Sequence, residues 1–317
     1  MNKPKAEGMS SVRLQPDHLS KPNPTCSVSD RRIAPRVDTG TVPAHHLSAM
    51  TRKWIVGGAI LLAALLLIST SVPGQTGYKA PRTADAKPNF NGIWQAMTTA
   101  HWDVEAHPAA PGPMWELGAQ FAVQGGLGIV EGGAIPYKPE ALAKKKENFA
   151  NRTKLDPEVK CYLPGVPRAM YMPYPFQIVQ SPKHIMIVHE YAGAVRTVYM
   201  DNHTDAPADS WMGWSNGKWE GETLVVDTKG YLDTTWFDRA GNHHSDALHT
   251  IERFTARSAD TMNYEVTIED PNVFTRTWKM SFPLYRHVQP NAQLTEYRCV
   301  EFSEEMLYGH LKKKASE

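Results

Sequence analysis

From residue 176 to the C-terminus the sequence is a succession of short runs rich in β-branched and aromatic residues, punctuated by turn formers. Such spacing predicts strands joined by tight links. The runs cover residues 176–180, 184–191, 194–201, 218–220, 223–228, 234–238, 247–256, 262–269, 274–285 and 294–302, and Phe90-Asn91-Gly92-Ile93-Trp94-Gln95 supplies one more ahead of them. Between them stand Ser181-Pro182-Lys183, Ala192-Gly193, Asn216-Gly217, Glu220-Gly221, Ala240-Gly241-Asn242 and Asp270-Pro271-Asn272. Asn216-Gly217 is the strongest hairpin signal, because both residues tolerate positive φ. The expected class is all-β, an antiparallel meander. About ten strands lose their open edges by closing into a barrel, with a two-sheet sandwich as the alternative. No βαβ alternation and no phosphate loop is present, which argues against a dinucleotide fold.

Residues 106–166 are Pro- and Gly-rich. They read as a long excursion from the barrel rather than a second core, with one helix over 139–149. Pro139 suits its first turn, and Lys144, Lys145 and Lys146 leave only a shallow apolar face. A terminal helix is expected over 304–314, with Met306, Leu307 and Leu311 spaced to lie against the barrel wall.

Upstream, the apolar run 54–68 follows Met50-Thr51-Arg52-Lys53 and precedes Ser69-Thr70-Ser71-Val72-Pro73-Gly74. A basic start, roughly fifteen apolar residues, then small residues and a helix breaker have the form of an export signal, whereas a spanning helix needs about twenty. An uncleaved anchor is the alternative. Residues 1–49, rich in Pro, Ser, His and Arg, show no apolar periodicity and fall outside the mature protein in this reading. The expected organisation is therefore a signal peptide over 50–74, a linker over 75–88 and a single barrel domain over 89–317, placed in the periplasm or secreted. No stable membrane span is expected after processing.

A net charge of +1 and a pI near 7.8 provide no field to draw in a polyanion, so nucleic acid is not an expected partner. Of three cysteines, Cys26 precedes the signal, leaving Cys161 and Cys299. In an oxidising compartment such a pair reads as a disulfide; a buried thiol pair and a catalytic cysteine are the alternatives.

The densest polar stretch runs from Asp233 to Arg253. Loops at a barrel mouth bring ligands to polar groups, so Asp238, His244 and Asp246 are candidate acid–base residues, with Trp236 and His249 as ligand contacts. The competing reading is a loop whose Asp and His side chains cap turns. No metal is expected, because His244 and Asp246 share a strand face that His249 does not, and the spacing fits no zinc pattern. A second group is His189 and Glu190, with Arg196 across the Ala192-Gly193 link; a structural Glu190–Arg196 cross-strand pair is its ordinary explanation. In Tyr171-Met172-Pro173-Tyr174-Pro175-Phe176 the prolines oppose strand pairing, so Tyr174 and Phe176 belong to a lid or a plug that contacts ligand. Ser245 beside His244 lacks a nucleophile motif.

Two resemblances follow. Gly92-Ile93-Trp94 on a first strand, with Arg298 on the last, looks like the lipocalin or calycin arrangement, in which the Trp closes the barrel floor beneath an Arg. The motifs Cys161-Tyr-Leu-Pro-Gly-Val-Pro-Arg168, Trp219-Glu-Gly-Glu-Thr-Leu-Val-Val-Asp227, His244-Ser-Asp-Ala-Leu-His249 with Glu252-Arg253-Phe254, and Glu296-Tyr-Arg-Cys299 are similar to those of a family of uncharacterised secreted bacterial proteins. That family often continues past its second Cys with His-Glu-Gly, where this chain has Val300-Glu301-Phe302. Together these readings imply an exported lipocalin-like barrel holding a small, mostly apolar molecule in an aromatic-lined cavity, without a cofactor. The alternatives are a cofactor-independent hydratase, dehydratase or isomerase on the same scaffold, and a structural envelope protein.

Overall fold

The computed structural model describes residues 77–112, 114–200 and 204–311. The expected signal peptide and residues 1–49 lie outside them. Nine strands, β1 (Gly92–Ala96), β2 (Phe176–Gln180), β3 (His184–His189), β4 (Val195–Tyr199), β5 (Trp214–Glu220), β6 (Thr223–Lys229), β7 (His249–Ala256), β8 (Thr261–Glu269) and β9 (Trp278–Arg286), close into a barrel in chain order. The seam is the antiparallel pair β1–β9, at Gln95↔Tyr285.

The barrel is all-β as expected, but it is not a pure meander. Strands β4 and β5 are parallel, at Val198↔Ser215, so the chain must return to the starting end before β5 begins. Asn216-Gly217 is not a hairpin turn: it lies inside β5, facing Asp227 and Val226. Gly217 is small because a Cβ there would meet Met200 Sδ and Val198 Cγ1 at 2.6 Å. The β5–β6 turn is made by Gly221 instead, at φ +61°. Residues 234–238 form a loop with one bridge, Trp236↔His243, and residues 294–302 add no strand because the closed ring offers no free edge.

Alternation fixes what the barrel encloses. Thr250, Glu252, Phe254 and Ala256 of β7, Met262, Tyr264, Val266 and Ile268 of β8, and Trp278, Met280, Phe282 and Leu284 of β9 are all buried. The aromatic side chains pack on one another, with Tyr264 5.0 Å from Phe254 and 4.8 Å from Phe282 between ring centroids. Sliding any strand by one residue would turn these side chains outward, so burial pins the register.

The two ends differ. At one, Trp94 donates from Nε1 to the Phe90 carbonyl at 2.9 Å and lies 4.2 Å beneath a guanidinium. That guanidinium belongs to Arg286 rather than Arg298, which is exposed and bonds Glu296. The opposite end is closed by the excursion between β1 and β2. Val104, Met114, Ile135, Val166, Met170, Tyr171 and Met172 are buried there, and the Tyr171 hydroxyl donates to Phe237 O at 2.7 Å. The excursion therefore belongs to the main core; Tyr171 and Met172 are part of the plug, whereas Tyr174 is half-buried and Phe176 opens β2 opposite Trp94. Helix α1 (Pro139–Ala150) packs shallowly, burying only Ala141 and Asn148.

Cys161 and Cys299 form the expected disulfide, with Cα atoms 5.6 Å apart. The terminal helix is shorter than predicted, comprising α2 (Ser303–Tyr308) and a 3-10 turn, Gly309–Leu311. Met306 and Leu307 face outward, because Glu304 turns the helix's polar side to Arg239 at 3.0 Å. Among the described residues no helix is long and apolar enough to cross a membrane.

Candidate functional site

The Asp233–Arg253 stretch does not gather its polar side chains. Asp238 is fully buried; Oδ1 accepts from Ala240 N at 2.9 Å and Asn242 N at 3.2 Å, and Oδ2 from Val104 N at 2.9 Å and Asn242 Nδ2 at 2.6 Å. It fastens the β6–β7 loop to the excursion. Burial, aided by Asp103, raises its carboxyl to about 7. His244 Nδ1 donates to Ser245 O at 2.8 Å, so Nε2 accepts the Thr235 hydroxyl at 2.7 Å. Asp246 is exposed, and Trp236 is buried beside the bridge to His243. His249 stands outside the barrel between Glu269 at 2.9 Å and Asp227 at 3.1 Å. Among the described residues no group of three His, Cys, Asp or Glu is placed to hold a metal ion.

The second predicted group is divided too. Alternation sends Arg196 of β4 inward, away from Glu190. Its guanidinium makes a two-pronged pair with Glu252, and Nε donates to Ser215 Oγ at 2.8 Å and Nη2 to Thr228 Oγ1 at 3.1 Å. The Tyr264 hydroxyl donates to the same carboxylate at 2.8 Å. Glu190 instead accepts Thr295 N at 2.7 Å. His189 is buried against Phe176, a core residue, at 5.4 Å. Burial, reinforced by Arg196, holds its imidazole down at about 3, and Nε2 has no partner.

A different set converges at the plugged mouth. Asp156 starts the 3-10 helix Pro157–Lys160 by accepting Glu158 N at 2.9 Å, which presents Glu158 beside the following Cys161. Arg168 bonds Asp156 at 3.0 Å and Glu158 at 2.6 Å. Arg239, stacked 4.5 Å from Trp102, grips Glu158 from the other side with bonds of 2.7 and 2.9 Å. A cleft of about 400 Å³ opens at this cluster, walled by Tyr174 and Tyr297 and bordered by Glu158 and Arg239. Tyr191 backs both tyrosines, with ring centroids 5.7 Å from Tyr174 and 5.0 Å from Tyr297; the two wall rings are 4.8 Å apart.

Hydrogen bonding at the mouth is incomplete. Tyr191 OH, Arg168 Nε and His101 Nδ1 are buried without partners, and the Glu158 charge acts on all three groups. Unpaired buried polar atoms cost free energy, and three of those found among the described residues lie around this one carboxylate. Burial pushes the Glu158 carboxyl up, but Arg239 and Arg168 more than offset this and hold it at about 2. Burial takes His101 down to about 4, leaving a neutral imidazole beside a carboxylate at neutral pH. Burial, with Glu158 adding to it, drives the Tyr191 phenol well above its ordinary value. A groove of about 470 Å³ on the outer face of β5–β7 has three of its charges paired among themselves, Glu220 bonding Lys218 at 2.8 Å and Arg253 at 2.9 Å.

Of the predicted catalytic and ligand-contact residues, only Tyr174 lines this cleft, together with Cys299 of the expected disulfide. Glu158, Arg168 and Tyr297 were reachable by one inference: closing Cys161 on Cys299 brings the neighbours of both cysteines together, whereas nothing in the sequence placed Tyr191 beside them. A scan of the sequence against protein-family models finds no match, and a search among curated proteins finds no similar chain.

Proposed function

We propose that this protein is an exported barrel that binds a small, mostly apolar aromatic molecule at its mouth, against the wall that the packed Tyr174 and Tyr297 rings form. The observation that carries the reading is the tyrosine-walled cleft backed by the unpartnered Tyr191 hydroxyl. Its volume, about 400 Å³, falls in the range of small-molecule sites. Tyrosine faces suit a flat apolar ligand, and the polar floor suits one hydrogen-bonding substituent. Export is supported by the form of the 50–74 leader, by the motifs similar to a secreted family and by the Cys161–Cys299 disulfide. The lipocalin-like reading draws support from Arg286 over Trp94.

Binding is preferred over acid–base catalysis on chemical grounds. General acids and bases work best with pKa values near the operating pH. Glu158 at about 2 is a weak base, and a phenol raised as Tyr191 is makes a weak acid. Asp238, at about 7, is occupied by four hydrogen bonds in the loop. Calorimetric titration with p-cresol and with benzoate tests the proposal. Tyr297→Ala should weaken the retained probe at least about tenfold, some 1.4 kcal/mol, and parental affinity in both Tyr297→Ala and Tyr174→Ala would reject the site.

A further inference from the structure

The cleft is built from two parts of the chain that meet late. Six of its ten lining residues come from the segment that follows β9: Tyr297, Arg298, Cys299 and Val300 from an extended strap, and Ser303 and Glu304 from the first turn of α2. This strap forms no strand and is exposed along much of residues 291–301. Its anchors include Thr295 N on Glu190 at 2.7 Å, Phe302 N on Val159 O at 2.8 Å and Glu304 on Arg239 at 3.0 Å. The Thr295–Glu190 contact is exposed and the Glu304–Arg239 pair only partly buried, and contacts this sparse open more readily than a strand ladder. The covalent anchor is the Cys161–Cys299 bond, which joins the strap to the turn that presents Glu158. Both cysteines are half-buried rather than enclosed, and Cys299 lines the cleft itself.

We infer that this disulfide is a latch on the mouth site: its reduction by a dithiol frees the strap and dismantles the cleft while the barrel stays folded. The step balances simply. The dithiol gives up two electrons and two protons, the S–S bond opens to two cysteine thiols, and the reductant leaves as its own disulfide. The barrel has no need of the strap, because β1 and β9 close the ring and the plug residues precede Cys161 or lie in 166–172. Losing the strap removes Tyr297 from the wall and Glu304 from Arg239. The inference rests on the proposed binding site only for its consequence; the opening itself needs no ligand.

Hydrogen exchange on the full chain, oxidised and after dithiothreitol, tests it. The Thr295 and Phe302 amides should lose protection at least about tenfold on reduction, while β7 and β8 amides keep theirs. Protection of the strap within about twofold of the oxidised form overturns the latch, as does an equal loss across β7 and β8, which would make the disulfide a general staple. The Cys161→Ser/Cys299→Ser variant should reproduce the reduced pattern; if it fails to fold, reduction of the folded protein still decides. Titration with p-cresol separates the two claims. An oxidised protein that ignores p-cresol counts against the binding site and leaves the amide result standing, whereas equal affinity in oxidised and reduced protein sinks the latch.

Discussion

The barrel interior and the plugged mouth are each organised by arginine–carboxylate pairing, yet they finish the job differently. Inside, Arg196 spends its donors on Glu252, Ser215 and Thr228, and Tyr264 completes the carboxylate. At the mouth, Arg168 and Arg239 both converge on Glu158, but Arg168 Nε, Tyr191 OH and His101 Nδ1 are left over and a cleft stands open. A satisfied network gains nothing from another molecule. An unsatisfied one gains a hydrogen bond for each partner that arrives, so an unpaired atom beside an open cleft, unlike the enclosed His189 Nε2, separates a site from a strut.

The largest expected effect breaks the interior side. Arg196→Met leaves Glu252 buried and uncompensated and should cost about 3–5 kcal/mol in denaturant unfolding, with p-cresol affinity of the folded fraction unchanged. A loss below about 1 kcal/mol would mean that the interior pair is dispensable.

Acidification should distinguish the regions next. His189 is held at about 3 in the folded state, so below its unfolded value of 6.5 only the unfolded chain takes up the proton and stability falls as pH falls. Between pH 6.5 and 5 this one group costs about 2 kcal/mol, and His189→Asn should lower the measured proton uptake on unfolding at pH 5 by about one. At the mouth, Glu158 has the same sign but acts in a lower pH window. Its depressed carboxyl stabilises the fold above 4.5, and that contribution fades only as pH drops toward about 2. Affinity for p-cresol should therefore change less than about twofold from pH 5 to 8. A steep pH dependence of affinity in that window would move the binding role away from Glu158.

A smaller effect sharpens the contrast. Tyr191→Phe removes a buried hydroxyl that has no partner, so stability should hold or rise by up to about 1 kcal/mol while p-cresol binding weakens several-fold. Higher stability with intact binding would show that the hydroxyl is merely tolerated. The smallest effect belongs to Asp246→Asn, whose side chain is exposed: melting and binding should both stay within about 0.5 kcal/mol of the parent.

The strands were legible because a period of two is written into 249–256, 261–269 and 278–286, where each buried position is followed by a half-exposed or exposed one. The disulfide was legible from compartment and cysteine count. Asn216-Gly217 misled because a small residue required by packing against Val198 and Met200 resembles one required by a turn. His244, Asp246 and Asp238 misled because nearness along the chain was read as nearness in space. Asp238 turned into the loop to satisfy four donors, while Asp246 turned out to water.

What the sequence determined by itself is therefore local or compositional: strand period, turn chemistry, the all-β class and the cysteine pair. What only the tertiary structure decided is which polar atoms found partners. Hydrogen-bond satisfaction depends on residues as distant as Glu158, Tyr191, Arg239 and Tyr297 meeting at one end of a closed ring, and no periodicity in the chain encodes that meeting.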